Sequence, residues 1–267
     1  MSQRTLGNGV LETRTDNARL QPWTVAASGS GTNLLSLTYA YSASQNNGNV
    51  LNQSISQGTA SFTQSYGYDG VNRLQSASES GVWGQTYVYD KAGNRAVLTG
   101  STLAGASNLT PQTSSSTSVP YHSANRWLGT SYDGAGNLTG VSTKSFVYDA
   151  ENRQIVANDS VGPASATYTY DGDGRRVTKT VNGATTIFVY DPLGRLAAEY
   201  AAASSLVAGT KFLTGDGLGS TRLVTGAGGQ VVDCHDYLPF GEKIPASWSR
   251  TGNSCYAAGQ DPGKRDT

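Results

Sequence analysis

The sequence predicts an all-β fold, an array of short antiparallel β-hairpins, and two observations support this. Glycine accounts for 33 of the 267 residues and charged residues for only 14%, against roughly 25% charged residues in average soluble domains. This composition favours turns and strands over helices. In addition, a motif containing Tyr-Asp recurs, and several successive copies lie 16 to 22 residues apart. That spacing is the length of one hairpin.

The repeated motif reads Tyr-Asp, two variable residues, Gly or Asn, and then Asn or Arg. An Asp that begins a type I turn accepts hydrogen bonds from backbone N–H groups downstream, and Gly or Asn tolerates positive φ at the fourth position. We therefore predict a hairpin turn closed by a bulge at each copy. The predicted turn residues are Tyr68, Asp69, Asn72, Tyr89, Asp90, Gly93, Tyr132, Asp133, Gly136, Tyr148, Asp149, Asn152, Tyr170, Asp171, Gly174, Tyr190, Asp191 and Gly194.

Two weaker matches extend the repeat. A degenerate copy begins at Tyr121-His122, and a looser one begins at Asp16 and ends at Leu20. A second aromatic residue stands two positions before five of the motif tyrosines, so both rings should lie on one strand face. These upstream residues are Tyr66, Tyr87, Phe146, Tyr168 and Phe188.

Two segments depart from the hairpin pattern. Residues 99–119 are rich in Ser, Thr and Gly and nearly uncharged, which predicts a long mobile loop. Residues 196–207 contain several alanines that favour a helix. We favour a strand there, because the segment directly follows a predicted hairpin turn.

The charge balance argues against several classes of partner. Nineteen basic residues balance 19 acidic ones, which leaves no electrostatic basis for binding nucleic acid or an anionic membrane. The first thirty residues lack the pattern of a signal peptide, and no apolar run reaches the roughly 18 residues of a membrane span. The two cysteines are too few for a disulfide scaffold and leave the redox compartment open.

The acidic residues could be interpreted as reactive groups. Paired carboxylates would suggest a glycoside hydrolase, but the same Asp recurs in every copy, whereas catalysis needs one singular arrangement. The segment Asp171-Gly-Asp173 resembles the start of a calcium loop, yet Arg175 stands at the next ligand position and Asn182 at the twelfth. We therefore predict turn residues and no metal site.

Two further patterns could carry chemistry. The glycine-rich run 215–219 lacks the Lys and Ser or Thr of a phosphate cradle. Cys234 precedes His235, which could activate the thiol, but neighbours on a strand point to opposite faces. We therefore predict no catalytic residue and no cofactor. A hydrolase remains an alternative function. It would require turnover of a glycoside or a peptide that disappears when a single Asp is changed.

The Tyr-Asp copies and a pattern near the carboxyl terminus carry a resemblance to a known family. In that pattern a D-x-L-G-S-T-R strand leads through a Gly turn to Y-x-P-F-G. Its residues are Asp216, Leu218, Gly219, Ser220, Thr221, Arg222, Tyr237, Pro239, Phe240 and Gly241. The chain resembles bacterial RHS, or YD-repeat, proteins, a group that includes the C component of insecticidal toxin complexes and is similar to the shell of teneurins.

The resemblance implies a spiralling β-shell, or part of one as a curved open sheet, that encloses or presents a C-terminal toxin or effector in a secreted or cell-surface protein. It divides the chain into a hairpin array (1–210), a terminal RHS-core-like hairpin (211–246) and a tail (247–267) that resembles the start of a core-associated region. We expect a fragment, a truncated gene or one wall of an assembly, with the toxin or further shell segments as partners. The self-cleaving protease of the family has no counterpart among the residues of this sequence, so we assign no protease residue. The alternative is a surface interaction module that binds carbohydrate or a partner protein through exposed rings and sheet edges.

Overall fold

The computed structural model describes residues 1–58, 60–99, 110–122, 124–161, 165–192, 194, 196–201 and 210–244. The secondary structure of these residues is β-strand, as the composition and the repeat predict. The strands are β1 Ser2–Thr5, β2 Leu11–Asp16, β3 Pro22–Gly29, β4 Thr32–Tyr41, β5 Val50–Gln57, β6 Ala60–Tyr68, β7 Leu74–Glu79, β8 Trp83–Tyr89, β9 Arg95–Leu98, β10 Gln112–Thr113, β11 Ser131–Tyr132, β12 Leu138–Val141, β13 Lys144–Tyr148, β14 Gln154–Asp159, β15 Ser165–Tyr170, β16 Arg176–Val181, β17 Ala184–Tyr190, β18 Leu196–Ala201, β19 Phe212–Gly215, β20 Thr221–Thr225 and β21 Val231–Cys234.

The strands form three sheets in which each strand pairs with its neighbours in the sequence. The first sheet has ten strands in the order β1 to β10, the second has eight in the order β11 to β18, and the third has three in the order β19 to β21. The pairing is antiparallel throughout except between β9 and β10, which run parallel. Such a meander follows from short connections, because consecutive strands joined by tight turns pair with each other.

The two segments that depart from the hairpin pattern are described in part. Residues 196–201 form the strand β18, as predicted, and residues 202–207 lie outside the described residues. Within the predicted loop, residues 100–109 also lie outside the described residues. Beyond them the backbone N–H of Val97 donates to the carbonyl of Pro111, and that of Thr99 donates to the carbonyl of Thr113. These bonds hold β10 against β9.

The chain divides into two compact units. The first unit contains Met1–Val119 and Gly209–Thr267, and therefore includes the first and third sheets. The second unit is Pro120–Ala208 and contains the eight-stranded sheet.

In the first unit, the three-stranded sheet, which we call the terminal sheet, packs on part of one face of the ten-stranded sheet, and we call that face the inner face. One apolar cluster joins Leu223 of β20 and Cys234 of β21 to residues of the first sheet such as Leu37 and Ile55. A second cluster joins Leu238 and Ile244 to buried residues of the first sheet, namely Ala77, Trp83, Tyr87 and Val97. Burial alternates along the strands of the first sheet, because successive side chains point to opposite faces.

The second unit buries fewer large side chains. Its buried apolar residues, within the part that the structure describes, are Val141, Ala166 and Tyr168. On the opposite face, threonine hydroxyls bond across the strands, with 2.6 Å between Thr169 and Thr178. Tyr168 occupies the face that carries Tyr170, so the ring upstream of the motif and the motif ring lie on the same side of the sheet.

Candidate functional site

The Asp carboxylate holds the repeat turn together, as the turn at Asp69 shows. Oδ1 of Asp69 accepts the backbone N–H of Val71 at 3.0 Å and that of Arg73 at 2.9 Å. The backbone N–H of Asn72 donates to the Asp69 carbonyl at 3.0 Å, and the Asp69 N–H donates to the carbonyl of Arg73 at 2.9 Å. Four bonds therefore close a five-residue turn between β6 and β7. The structure places Asp90, Asp133, Asp149, Asp171 and Asp191 at the first position of equivalent turns.

The fourth position of these turns has left-handed backbone geometry. Its φ is +65° at Asn72, +88° at Gly93, +93° at Gly136, +60° at Asn152, +79° at Gly174 and +77° at Gly194. Only Gly and Asn adopt this region at low energetic cost, which explains the restriction of the motif to these two residues. The strand register shifts at the motif Tyr, for example between Thr169 and Tyr170. The turn therefore closes with a bulge.

The last residue of the motif binds the other carboxylate oxygen. Nε of Arg153 donates to Oδ2 of Asp149 at 2.8 Å, and Nδ2 of Asn137 donates to Oδ2 of Asp133 at 2.9 Å. The bond from the backbone N–H of Arg153 is the main cause that lowers the pKa of Asp149. For Asp133, the Asn137 side-chain amide is the main cause of a lowered pKa. Arg and Asn are therefore alternative donors to the same anion.

A Tyr that precedes the turn links several of the turns to the preceding one. Its hydroxyl donates to the backbone carbonyl of the residue that follows the preceding turn, an arrangement that we call the tyrosine clamp. The pairs, with their O···O distances, are Tyr41–Pro22 (2.8 Å), Tyr68–Val50 (2.9 Å), Tyr89–Leu74 (2.7 Å), Tyr170–Gln154 (2.6 Å), Tyr190–Arg176 (2.9 Å) and Tyr237–Thr221 (3.0 Å). The hydroxyl thus bonds a carbonyl at the strand end, where the bulge interrupts regular pairing.

The motif Arg adds a second link in the same direction. Its guanidinium stacks over the motif Tyr of the following repeat. The distance from Cζ to the ring centroid is 4.6 Å for Arg73 over Tyr89, 5.3 Å for Arg153 over Tyr170 and 5.5 Å for Arg175 over Tyr190. Arg combines a charge for the carboxylate with a flat surface for the ring, so one side chain connects two repeats.

Two further turns of this kind begin with a residue other than Asp: one lies one residue from its predicted position, and the other lies at the predicted degenerate copy. The amino-terminal turn begins at Asn17 and not at Asp16 as predicted, because Oδ1 of Asn17 accepts the N–H groups of Arg19 and Gln21. At the degenerate copy, Nδ1 of His122 accepts the backbone N–H of Ala124 at 3.2 Å. An Asn or a His acceptor can therefore replace Asp at the first position of the turn.

The carboxyl-terminal pattern consists of two diverged repeat turns. Residues Asp216–Ser220, which the resemblance implied to be strand, form a turn in which Oδ1 of Asp216 accepts the N–H of Leu218 at 2.9 Å and that of Ser220 at 3.0 Å. Gly219 has φ +88°, and the strand β20 begins only at Thr221. The second turn has Leu238 in the place of Asp, and the N–H of Gly241 donates to the Leu238 carbonyl.

The residues of this pattern differ widely in exposure. Leu218 is 95% exposed at the tip of its turn, whereas Arg222 is 3% exposed. The Phe240 ring lies edge-on to Tyr87 at 5.0 Å and beneath the guanidinium of Arg95 at 3.6 Å. Pro239 precedes Phe240 within the second turn. The pattern therefore attaches the terminal segment to β8 and β9 of the first sheet.

A buried ionic cluster joins the terminal segment to the centre of the first sheet. Nη2 of Arg222 donates to Oδ1 of Asp236 at 2.7 Å, and Nε2 of Gln64 on β6 donates to Oδ2 of the same carboxylate at 3.0 Å. Nη1 of Arg222 lies 3.6 Å from Oδ2 of Asp216. The hydroxyl of Tyr66 donates to Oε1 of Gln64 at 2.8 Å. The pKa of Tyr66 is raised, chiefly because its side chain is buried.

The residues of two chemical alternatives considered from the sequence take part in the following contacts. Arg175 binds the carboxylates of both Asp171 and Asp173, the residues that resembled a calcium loop. Cys234 is 1% exposed within the apolar core and takes part in a disulfide bond. The neighbouring His235 instead lies 3.3 Å from the carboxylate of Asp233.

In the part of the chain that the structure describes, no group of three or more His, Cys, Asp and Glu side chains is arranged to hold a metal ion. In the same residues, no helix has the length and hydrophobicity that crossing a bilayer requires.

Two curated relatives match parts of the chain. A stretch of 106 residues is 36% identical to the tRNA nuclease WapA of Bacillus subtilis strain 168. This stretch covers 39% of this chain and 4% of that protein. A stretch of 62 residues is 42% identical to the tRNA(Glu)-specific nuclease WapA of Bacillus subtilis subsp. natto. This stretch covers 23% of this chain and 3% of that protein. The chain therefore spans a small fraction of the length of these relatives.

Solved structures show the same fold. The crystal structure of TcdB2-TccC3-Cdc42 matches 90% of this chain with a TM-score of 0.66 and 16% identity, and the match covers 15% of that chain. The structure of the Photorhabdus luminescens Tc holotoxin pore matches 90% of this chain with a TM-score of 0.65 and 15% identity.

The sequence model of the Teneurin YD-shell family matches residues 18–248. This range contains every Tyr-Asp turn described above and both diverged turns of the terminal segment. The protein belongs to the Teneurin YD-shell family.

Proposed function

We propose that this chain is a structural segment of a YD-repeat shell that encloses or presents a C-terminal toxin or effector polypeptide. The observation that carries the proposal is the covered inner face of the first sheet. A polypeptide segment already packs there through Leu223, Leu238 and Ile244. A face that accepts apolar side chains and satisfies buried charges in this way is suited to enclosing polypeptide.

We further propose that the segment is not catalytic. The carboxylates of Asp69, Asp90, Asp133, Asp149 and Asp171 accept a backbone N–H group and a side-chain donor of their own turns, so these groups serve the structure of the turn. The relatives named as nucleases match this chain over 4% or less of their own length. Their name therefore refers to proteins that consist almost entirely of sequence outside the matched stretch. The division into a hairpin array (1–210), with a loop at 99–119, a terminal RHS-core-like hairpin (211–246) and a tail (247–267) also belongs to this proposal, as does a secreted or cell-surface location.

The alternative of a carbohydrate-binding surface finds less support in the same contacts. The motif rings would have to present their faces and hydroxyls to a sugar. The hydroxyls of Tyr68, Tyr89 and Tyr170 instead donate to backbone carbonyls. Fluorescence titration with a panel of glycans at millimolar concentration should leave the tyrosine emission unchanged, and saturable quenching would favour the alternative.

Limited proteolysis of the natural gene product, purified from the producing cells, tests the enclosure. We expect a polypeptide that extends beyond Thr267 and whose distal region resists protease until the shell is denatured. A product without such a region, or a region cleaved as fast in the native protein as after denaturation, would contradict the proposal. Incubation of the 267-residue chain with total tRNA tests the second part. We expect no cleavage, and cleavage that a single Asp substitution abolishes would show an enzyme.

A further inference from the structure

Cys234 ends β21 inside the apolar core of the first unit. Its side chain is 1% exposed and packs in the cluster that contains Leu37, Ile55 and Leu223. Its sulfur takes part in a disulfide bond. The sequence contains one other cysteine, Cys255, which lies beyond the described residues. Within one chain, Cys255 is therefore the only available partner.

The backbone turns back towards Cys234 where the described residues end. The backbone N–H of Ile244, the last of them, donates to the carbonyl of Asp236 at 2.9 Å. Asp236 stands two positions after Cys234, so the Cα atoms of Ile244 and Cys234 are at most about 14 Å apart. Residues 245–254 separate Ile244 from Cys255. A chain of that length reaches up to about 35 Å when extended, so it spans the gap with length to spare.

We infer that Cys234 and Cys255 form an intrachain disulfide bond that fastens the tail, residues 245–267, to the apolar core of the first unit. The tail is part of the first unit, which includes Gly209–Thr267. Cys234 is held rigidly for this purpose, because it pairs with Leu223 in the ladder between β20 and β21 and lies among buried apolar side chains.

This covalent attachment depends on the redox state. Two molecules of a low-molecular-weight thiol, such as glutathione, reduce the bond through a mixed disulfide. Both cysteine sulfurs become thiols with one proton each, and the two reductant molecules are oxidised to one disulfide. Disulfides persist in oxidising compartments and are rare in the cytosol. The tail is therefore bonded to the core in the first environment and held by non-covalent contacts alone in the second.

Reduction should free the tail without unpacking the core. A reduced Cys234 is a small apolar side chain that suits its buried position. The terminal sheet also keeps the ion pair of Arg222 with Asp236 and the bond from Gln64 to Asp236. The main loss is the restriction that the closed loop 235–254 places on the unfolded chain.

Peptide mapping without reduction tests the pairing. The chain is produced in the bacterial periplasm, its free thiols are alkylated, and it is unfolded in urea and digested. Trypsin cleaves on both sides of residues 223–243, which contain Cys234, and on both sides of residues 251–264, which contain Cys255. We expect one linked species that a thiol separates into these two peptides. Two separately alkylated peptides, or a peptide linked to a second copy of itself, would overturn the inference.

Thermal unfolding tests the redox dependence. Cys255→Ser should lower the Tm of the first unit by about 5–10 °C. Addition of dithiothreitol should lower the Tm of the native sequence by a similar amount and leave Cys255→Ser unchanged. Ser254→Ala, the matched control at the neighbouring position, should keep both the native Tm and its response to dithiothreitol. The inference fails if Cys255→Ser melts at the native Tm, or if dithiothreitol shifts the Tm of Cys255→Ser as much as that of the native sequence.

Discussion

Arg222 and Asp236 form a buried ion pair, with 2.7 Å between Nη2 and Oδ1 and with 4% and 0% of their side chains exposed. The guanidinium also donates to the His235 carbonyl through Nε at 3.0 Å, and the carboxylate accepts the backbone N–H of Tyr237 at 2.9 Å. Both groups are therefore desolvated and bonded on several sides. This pair is the charged centre of the contact between the terminal segment and the first sheet.

Removing one partner of this pair should be costly. Arg222→Met leaves a carboxylate buried without its cation, which typically destabilises by about 3–5 kcal/mol. Arg222→Met combined with Asp236→Asn should cost less than the single change, because the remaining group is neutral. Urea denaturation followed by circular dichroism measures both. Arg14→Met, which breaks an exposed ion pair with Asp16, should cost less than about 1 kcal/mol, and an equal loss in the control would refute the assigned role of burial.

The positive φ of the fourth turn position can be tested within a single turn. Gly174 has φ +79°, Gly172 has no positive φ, and an added Cβ would meet no atom within 4 Å at either position. Gly174→Ala should therefore destabilise by about 1–2 kcal/mol through backbone strain alone. Gly172→Ala should be neutral or slightly stabilising. Denaturation midpoints of the two variants decide the matter, and equal midpoints would contradict the turn geometry.

The Asp carboxylates should make the fold sensitive to acid. The backbone N–H of Arg175 is the main cause that lowers the pKa of Asp171 from its ordinary value of 3.8. A pKa that folding lowers stabilises the native state above the unfolded pKa, and this contribution is lost as the pH falls through the folded pKa. We therefore expect the urea concentration at the unfolding midpoint of the native sequence to decrease as the pH is lowered below about 4.

Asp171→Asn should weaken that pH dependence while keeping the turn, because Asn17 already holds an equivalent turn through its amide oxygen. Urea midpoints recorded from neutral pH down to pH 2 compare the two proteins. Asp173→Asn serves as the control, since it leaves the Oδ1 bonds of Asp171 in place. If Asp171→Asn retained the full acid dependence of the native sequence, the carboxylate would not be its source.

The apolar contact of the terminal sheet with the first sheet should contribute strongly to stability. Leu223 is fully buried on β20, so Leu223→Ala should cost about 2–5 kcal/mol through lost burial and an unfilled cavity. Leu218→Ala, five residues earlier and 95% exposed, should change the stability by less than about 0.5 kcal/mol. Differential scanning calorimetry of both variants compares them, and similar shifts in Tm would show that the terminal sheet does not pack as described.

Local chemistry made the hairpin array readable in the sequence. The all-β fold and the antiparallel meander follow from a recurring five-residue turn. This turn requires Asp at its first position and Gly or Asn at its fourth, as at Asp69 and Asn72. The amino-terminal turn was misplaced by one residue because an amide oxygen accepts the same N–H groups as a carboxylate, so Asn17 fills the position without matching the motif.

Long-range packing lay beyond such reasoning. Nothing in the local pattern pairs Gln64 with Asp236, 172 positions apart, or brings the Tyr170 hydroxyl to the Gln154 carbonyl. The sequence by itself determined the strands, the turns and their order, since each is specified by contacts among neighbouring residues. Only the tertiary structure decided which face of the first sheet is covered and which repeats are coupled, because those contacts form between surfaces that the chain creates only after its hairpins have folded.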